Sequence, residues 1–288
     1  GKAWIGLEKS LAYVFTMKWI ELLRGEPMII TKPKNFDLEQ IYASGQCFRW
    51  EKLEEGYDAD YVIPLYDTVL RATDYEQTKM WINDRADGCS RFAGEHYFDL
   101  VTNYLKIETE VYHTRDKYLI KCYEHSKGIR ILRQDLWEVL ITFIISQNNN
   151  IPRIKKSVKA LCNDSYHFPT PEELLEMDLS DKGLGYRDKY IKDACKHFMN
   201  QNYVELLYRK DHEIVRDALK DIQGVGDKVA VCVRLFGLHH LEAFPIDTHI
   251  KQVIDREYGG KMPEWVESEY AGVFQQYIFY YETNCRKQ

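Results

Sequence analysis

The 288-residue sequence predicts an α+β chain, a small antiparallel sheet part followed by a larger helical part. Three observations carry this. Residues 28–92 hold short β-prone runs broken by Gly, Asp and Pro. From about residue 95 the apolar residues recur at helical spacing almost throughout. The composition, 45% apolar and 29% charged, is that of a globular chain long enough for one large domain or two smaller ones.

In chain order, residues 1–27 are amphipathic but interrupted by Glu8, Lys9, Lys18 and Glu21, and lack the layout of a secretory signal. They form an extension whose origin the sequence leaves open. A mixed domain over 28–115 follows, with strands expected at "MIITKP", "QCFRWEKL", "DYVIPLY" and "TVLRAT", and a short helix at "EQTKMWINDRA". The helical domain spans 116–288. Its clearest helix is "DLWEVLITFIISQ", where Asp135 suits the N-cap and Glu138 completes a capping box. Further helices are expected around 172–177, 188–200, 212–222, 228–238, 247–258 and 266–282.

No run reaches the roughly 18 uncharged apolar residues of a membrane span, so no membrane association is expected. Seven cysteines at wide spacings, with no CxxC, point to reduced intracellular thiols, with a cytoplasmic or nuclear setting. That spacing also argues against a zinc or iron–sulfur site with closely spaced ligands. The net charge of −6 taken alone argues against nucleic acid. The charge is uneven, however. "NIPRIKKSVKALCN" holds four basic residues and no acid, and "KGLGYRDKYIKDACKH" holds five against two. Screening confines the field to about 8–10 Å, so a local basic face still binds phosphate.

"DIQGVGDKVAVCVRLFG" reads as helix, glycine turn, helix. Gly224 and Gly226 permit positive φ and close backbone approach. Asp227 is a candidate N-cap for a helix starting at Lys228. Turn N–H groups and a helix N-terminus suit phosphate, and the turn carbonyls of Lys220, Ile222 and Val225 suit a structural cation. A plain helical turn explains the glycines equally well. Lys228 is the sharper feature. A cation at a helix N-terminus opposes the macrodipole, a placement that a nucleophilic lysine, reacting as the neutral amine, exploits. Nineteen residues on, "FPIDTHIKQVI" puts Asp247 at another helix start, where it serves as an N-cap, as the lysine's carboxylate partner, or as both.

The GVG turn, Lys228 and "PIDTH" together resemble the helix–hairpin–helix DNA glycosylases, most closely those that act on 8-oxoguanine. "SGQCFRW", "GIRILRQDLWE", "SQNNNIPRI", "GLGYRDKY" and "YAGVFQQYIF" extend the resemblance, in order, over most of residues 30–283. It implies a TBP-like sheet domain followed by a helical glycosylase domain, acting as a monomer on double-stranded DNA without a required cofactor. It implies Lys228 as the nucleophile at C1′ and Asp247 as the stabiliser of the cationic sugar. It implies a base pocket of Gly45, Cys232, Gln275 and Phe279, with the Gly45 carbonyl facing N7–H of the oxidised base. Tyr186 is the implied wedge, Asn148, Arg153 and Arg187 contact the orphaned cytosine, and His249 joins the hairpin glycines on phosphate. Gln223 departs from the proline common in this turn, which implies a looser turn. A glycosylase for another oxidised or alkylated base, and a non-catalytic DNA-binding hairpin, are the competing readings.

Overall fold

The computed structural model describes residues 28–54, 60–65, 68–76, 79–83, 90–163, 165–209 and 211–286. The amphipathic stretch expected within 1–27 lies outside them. Five strands form one antiparallel sheet: β1 (Met28–Thr31), β2 (Glu51–Lys52), β3 (Tyr61–Leu65), β4 (Thr68–Glu76) and β5 (Lys79–Asn83). Their spatial order is β1-β5-β4-β3-β2. The expected helix at 76–86 is corrected by β5, which pairs with β1 on one side and β4 on the other; residues 84–86 lie outside the described part. Two neighbouring ladders override a local helical pattern. "QCFRWEKL" is likewise strand only at Glu51–Lys52.

Helix α1 (Leu38–Ala43), capped by Asp37, was not expected from the sequence. The helical part comprises α2 (Ser90–Tyr97), α3 (Tyr104–His113), α4 (Lys117–Ser126), α5 (Leu136–Ser146), α6 (Ile151–Leu161), α7 (Pro171–Glu176), α8 (Arg187–Phe198), α9 (Gln201–Leu207), α10 (His212–Lys220), α11 (Asp227–Phe236), α12 (Thr248–Tyr258) and α13 (Ala271–Tyr280). Asp135 caps α5 through the Glu138 N–H at 2.9 Å. The expected capping box is only half made, because Glu138 turns to Arg49, 2.6 Å away. None of the described helices is long and apolar enough to cross a membrane.

Two apolar cores result. The smaller joins the sheet to Leu38, Ile41, Trp50, Tyr97 and Phe98. The larger is centred on α5, whose Val139, Leu140, Ile144 and Ile145 are almost fully buried. Between them the buried Gln46 acts as a clamp. Its Nε2 donates to the Arg130 carbonyl at 2.9 Å and to Ser44 Oγ at 2.8 Å, and its Oε1 accepts the Leu132 N–H at 2.8 Å. Gln134 Nε2 closes the set on the Gln46 carbonyl at 2.9 Å. Buried amides bonded at both ends fix one geometry, and this one fixes the loop that carries Gly45.

Candidate active site and nucleic-acid interface

The hairpin runs from α10 through residues 221–226 into α11. Gly224 has φ +82°, and a Cβ there would lie 2.3 Å from the Tyr190 ring. Only glycine fits, for both conformational and steric reasons. Gly226 differs from expectation. Its φ of −94° is negative, it serves as the N-cap, and nothing stands within 4 Å of its would-be Cβ. Its missing side chain leaves open space in front of the helix N-terminus. Asp227 is therefore the first helical residue and not the cap; its carboxylate pairs with Lys220 Nζ at 2.7 Å. The turn is not left loose by Gln223, either. The Gln223 N–H donates to Asp193 Oδ2 on α8 at 2.8 Å, a bond that proline could not make.

Lys228 follows one residue into α11 and is exposed. Asp247 caps α12, with Oδ1 accepting the Ile250 N–H at 2.8 Å. Cys232, one turn beyond Lys228 and buried, reports on both. Burial pushes its thiol up to about 12; the Lys228 charge opposes this and the Asp247 charge adds to it.

The aromatic side of the site is set by α13. A Cβ on Gly45, whose φ is +74°, would lie 3.2 Å from the Phe279 ring. The His249 ring meets Phe279 edge-on at 5.7 Å between centroids. Since His249 sits two residues after Asp247, the Phe279 ring is brought to the start of α12. Gln275, one turn before Phe279, is buried, and its Oε1 accepts from Gln276 Nε2 at 3.0 Å.

A second group surrounds Tyr186. The Tyr186 ring is half exposed, and its hydroxyl accepts from Asn148 Nδ2 at 3.2 Å. Asn148 itself holds φ +48°. Tyr190 packs edge-on against Tyr186 at 5.6 Å and also lies against Gly224, so Tyr186 and the hairpin share one aromatic brace. Arg153 is exposed, and among the described residues no carboxylate pairs with it. Arg187 is held from within the chain. It is buried, stacks on the Tyr186 ring at 4.6 Å, and donates to the carbonyls of Leu184 at 3.0 Å, Asn148 at 3.3 Å and Gln147. It thereby ties the asparagine turn to the Tyr186 ring. Gln46, Tyr190 and Asp193 are the supporting residues that sequence reasoning missed. Tyr190 lay in view, four residues after Tyr186 within the same motif; Gln46 and Asp193 gave no local signal.

Comparison with known proteins agrees with this geometry. Residues 28–140 match the model of the 8-oxoguanine DNA glycosylase N-terminal domain, and residues 141–273 that of the HhH-GPD superfamily of base excision DNA repair proteins. The chain is 33% identical to the N-glycosylase/DNA lyase of Saccharomyces cerevisiae over 77% of this chain and 68% of that one. The structure of MBOgg1 in complex with a low-affinity DNA ligand superposes with a TM-score of 0.80 at 33% identity, covering 90% of this chain and 96% of that one. The Clostridium acetobutylicum 8-oxoguanine glycosylase/lyase, in complex with double-stranded DNA containing cytosine opposite 8-oxoG, superposes with a TM-score of 0.80 at 30% identity, covering 90% and 95%. A glycine-built hairpin, a lysine at its mouth, a carboxylate at the next helix start and these likenesses together make the chain a member of the 8-oxoguanine DNA glycosylase family of HhH-GPD base excision repair proteins, an N-glycosylase/DNA lyase.

Proposed function

We propose that the chain flips 8-oxoguanine paired with cytosine out of duplex DNA, releases it by lysine attack, and cuts the strand by β-elimination. The observation that carries this is the pairing of two helix starts, an exposed Lys228 in the first turn of α11 behind the glycine hairpin and Asp247 as the cap of α12. Neutral Lys228 Nζ forms a bond to C1′ as the C1′–N9 bond breaks, and the base leaves with the bonding pair and takes up a proton. The sugar ring opens to a Schiff base. Loss of a C2′ proton then breaks the C3′–O bond and releases the 3′ strand. Asp247 stabilises the cationic sugar, its carboxylate already ordered by the helix it caps.

The pocket discriminates through the Gly45 carbonyl, which accepts N7–H of the lesion and repels the N7 lone pair of guanine. Phe279 stacks on the base and Gln275 bonds its Watson–Crick edge, after releasing Gln276. Cys232 lines the pocket from α11. Tyr186 fills the gap in the duplex. Asn148 and Arg153 hold the cytosine, joined by Arg187 once its carbonyl bonds to the turn exchange. Gly224, Gly226 and His249 face phosphate. The carbonyls of Lys220, Ile222 and Val225 hold a structural cation, though that of Ile222 already accepts the Val225 N–H at 3.0 Å. Action as a monomer is part of this reading.

Borohydride trapping tests the reading. The wild type is expected to crosslink to an 8-oxoguanine·cytosine duplex, and Lys228→Gln is expected not to. A wild type that excises the base but never traps overturns the lysine mechanism. Excision measured with each of the four bases opposite the lesion is expected to rank cytosine first.

A further inference from the structure

Three side chains meet at the open end of the hairpin, away from its turn, and base excision uses none of them. His212 is the first residue of α10, while His240 and Glu242 follow the end of α11. One nitrogen or oxygen from each lies within 4.8 Å of the others. The two imidazoles stack with centroids 4.3 Å apart and planes 27° apart. His212 Nδ1 lies 2.7 Å from Glu242 Oε1, and Arg234 Nη2 lies 2.6 Å from that same oxygen. Oε2 is thereby left for another bond. His240 Nδ1 is buried and has no hydrogen-bond partner. A buried imidazole nitrogen left unbonded is costly, and a metal ion is one partner that removes the cost.

We propose that His212, His240 and Glu242 bind one divalent transition-metal ion of the zinc type. Two imidazoles and one carboxylate form a borderline donor set that favours zinc, cobalt or nickel over magnesium or calcium. Metal bonds of about 2.0–2.1 Å put tetrahedral ligand atoms roughly 3.3–3.4 Å apart. The trio therefore has to close by about 1.5 Å at most, which side-chain rotation supplies. Arg234 counts against tight binding, since it brings a positive charge to the same carboxylate. The ion would join the start of α10 to the end of α11 and so close the hairpin at the end opposite its turn. Binding only to the folded chain, it would stabilise that hairpin by mass action.

The test uses the full chain, stripped with a chelator, and zinc chloride or cobalt chloride alone. One zinc per chain by calorimetry, a rise in melting temperature, and visible d–d absorption with cobalt are expected. His240→Ala and Glu242→Gln are expected to lose all three, and Cys285→Ser to keep them. Excision of 8-oxoguanine by His240→Ala is expected to match that of the wild type. Failure of the wild type to bind zinc at millimolar concentration overturns the proposal, as does zinc binding unchanged in both variants. Should His240→Ala not fold, as judged by circular dichroism, Glu242→Gln decides alone. Neither outcome bears on the lysine mechanism, which the borohydride trap reads separately.

Discussion

The mouth of the hairpin and the seam between the two cores are built by opposite means. At the mouth, Lys228 is exposed and open space stands before Gly226. At the seam, Gln46 is buried and bonded to the Arg130 carbonyl and the Leu132 N–H. Groups proposed to act on DNA are left free. Groups that place them are committed within the chain. Substitutions at the mouth should therefore change chemistry and spare stability, and substitutions at the seam should do the reverse.

The largest effect is expected from Lys228→Gln. Single-turnover excision should fall by about 10⁴-fold or more, while the urea midpoint stays within about 0.5 kcal/mol of wild type. Asp247→Asn sharpens the contrast, because asparagine caps a helix as well as aspartate does. Excision should fall by about 10²–10⁴-fold with the melting temperature unchanged. Gln46→Ala should reverse the pattern. It strands the Leu132 N–H and the Arg130 carbonyl in the interior, at a cost of about 2–4 kcal/mol in urea unfolding. Gly224→Ala belongs to both regions. Its positive φ and the Tyr190 ring should cost about 1–3 kcal/mol, and duplex affinity, read by fluorescence anisotropy, should fall with it.

The smallest effect is a pH dependence at the open end of the hairpin. Burial first, and then the charges of His212, Arg234 and His239, hold His240 down to about 4 against Glu242, from an ordinary 6.5. Between those values the unfolded chain binds more protons than the folded one, so stability falls as pH drops from about 6.5 to about 4. Urea midpoints of metal-free protein at about pH 7 and about pH 5 should show the fall, and His240→Asn should flatten it.

The hairpin, its lysine and the helix start at Asp247 were legible because each depends on residues adjacent in sequence: a glycine turn, a cap, an apolar stripe. The seam was not. Gln46 bonds to positions 84 to 88 residues away, and nothing local distinguishes it from a surface glutamine. The bonds that hold Arg187 were hidden for a related reason. Its residue type suits a base edge or a phosphate, but only the fold shows the carbonyls of Gln147 and Asn148 waiting beneath it. The strand at Lys79–Asn83 was misread as helix because its local pattern is helical while it is held by two ladders, one to β4 and one to β1, which begins about fifty residues earlier.

The bond from the Gln223 N–H to Asp193 has an evolutionary side. Judged by its superfamily alone, Gln223 looks like a defect awaiting replacement by proline. In this chain that replacement would remove the Gln223 bond and leave Asp193 with His197 at 3.6 Å, so two positions thirty residues apart are expected to be coupled. Proline at 223 should be tolerated better after Asp193 has already changed than before, and the two substitutions should not add. The order of mutation then matters: one route between this turn and the commoner one passes through a weakened intermediate, and the other bypasses it.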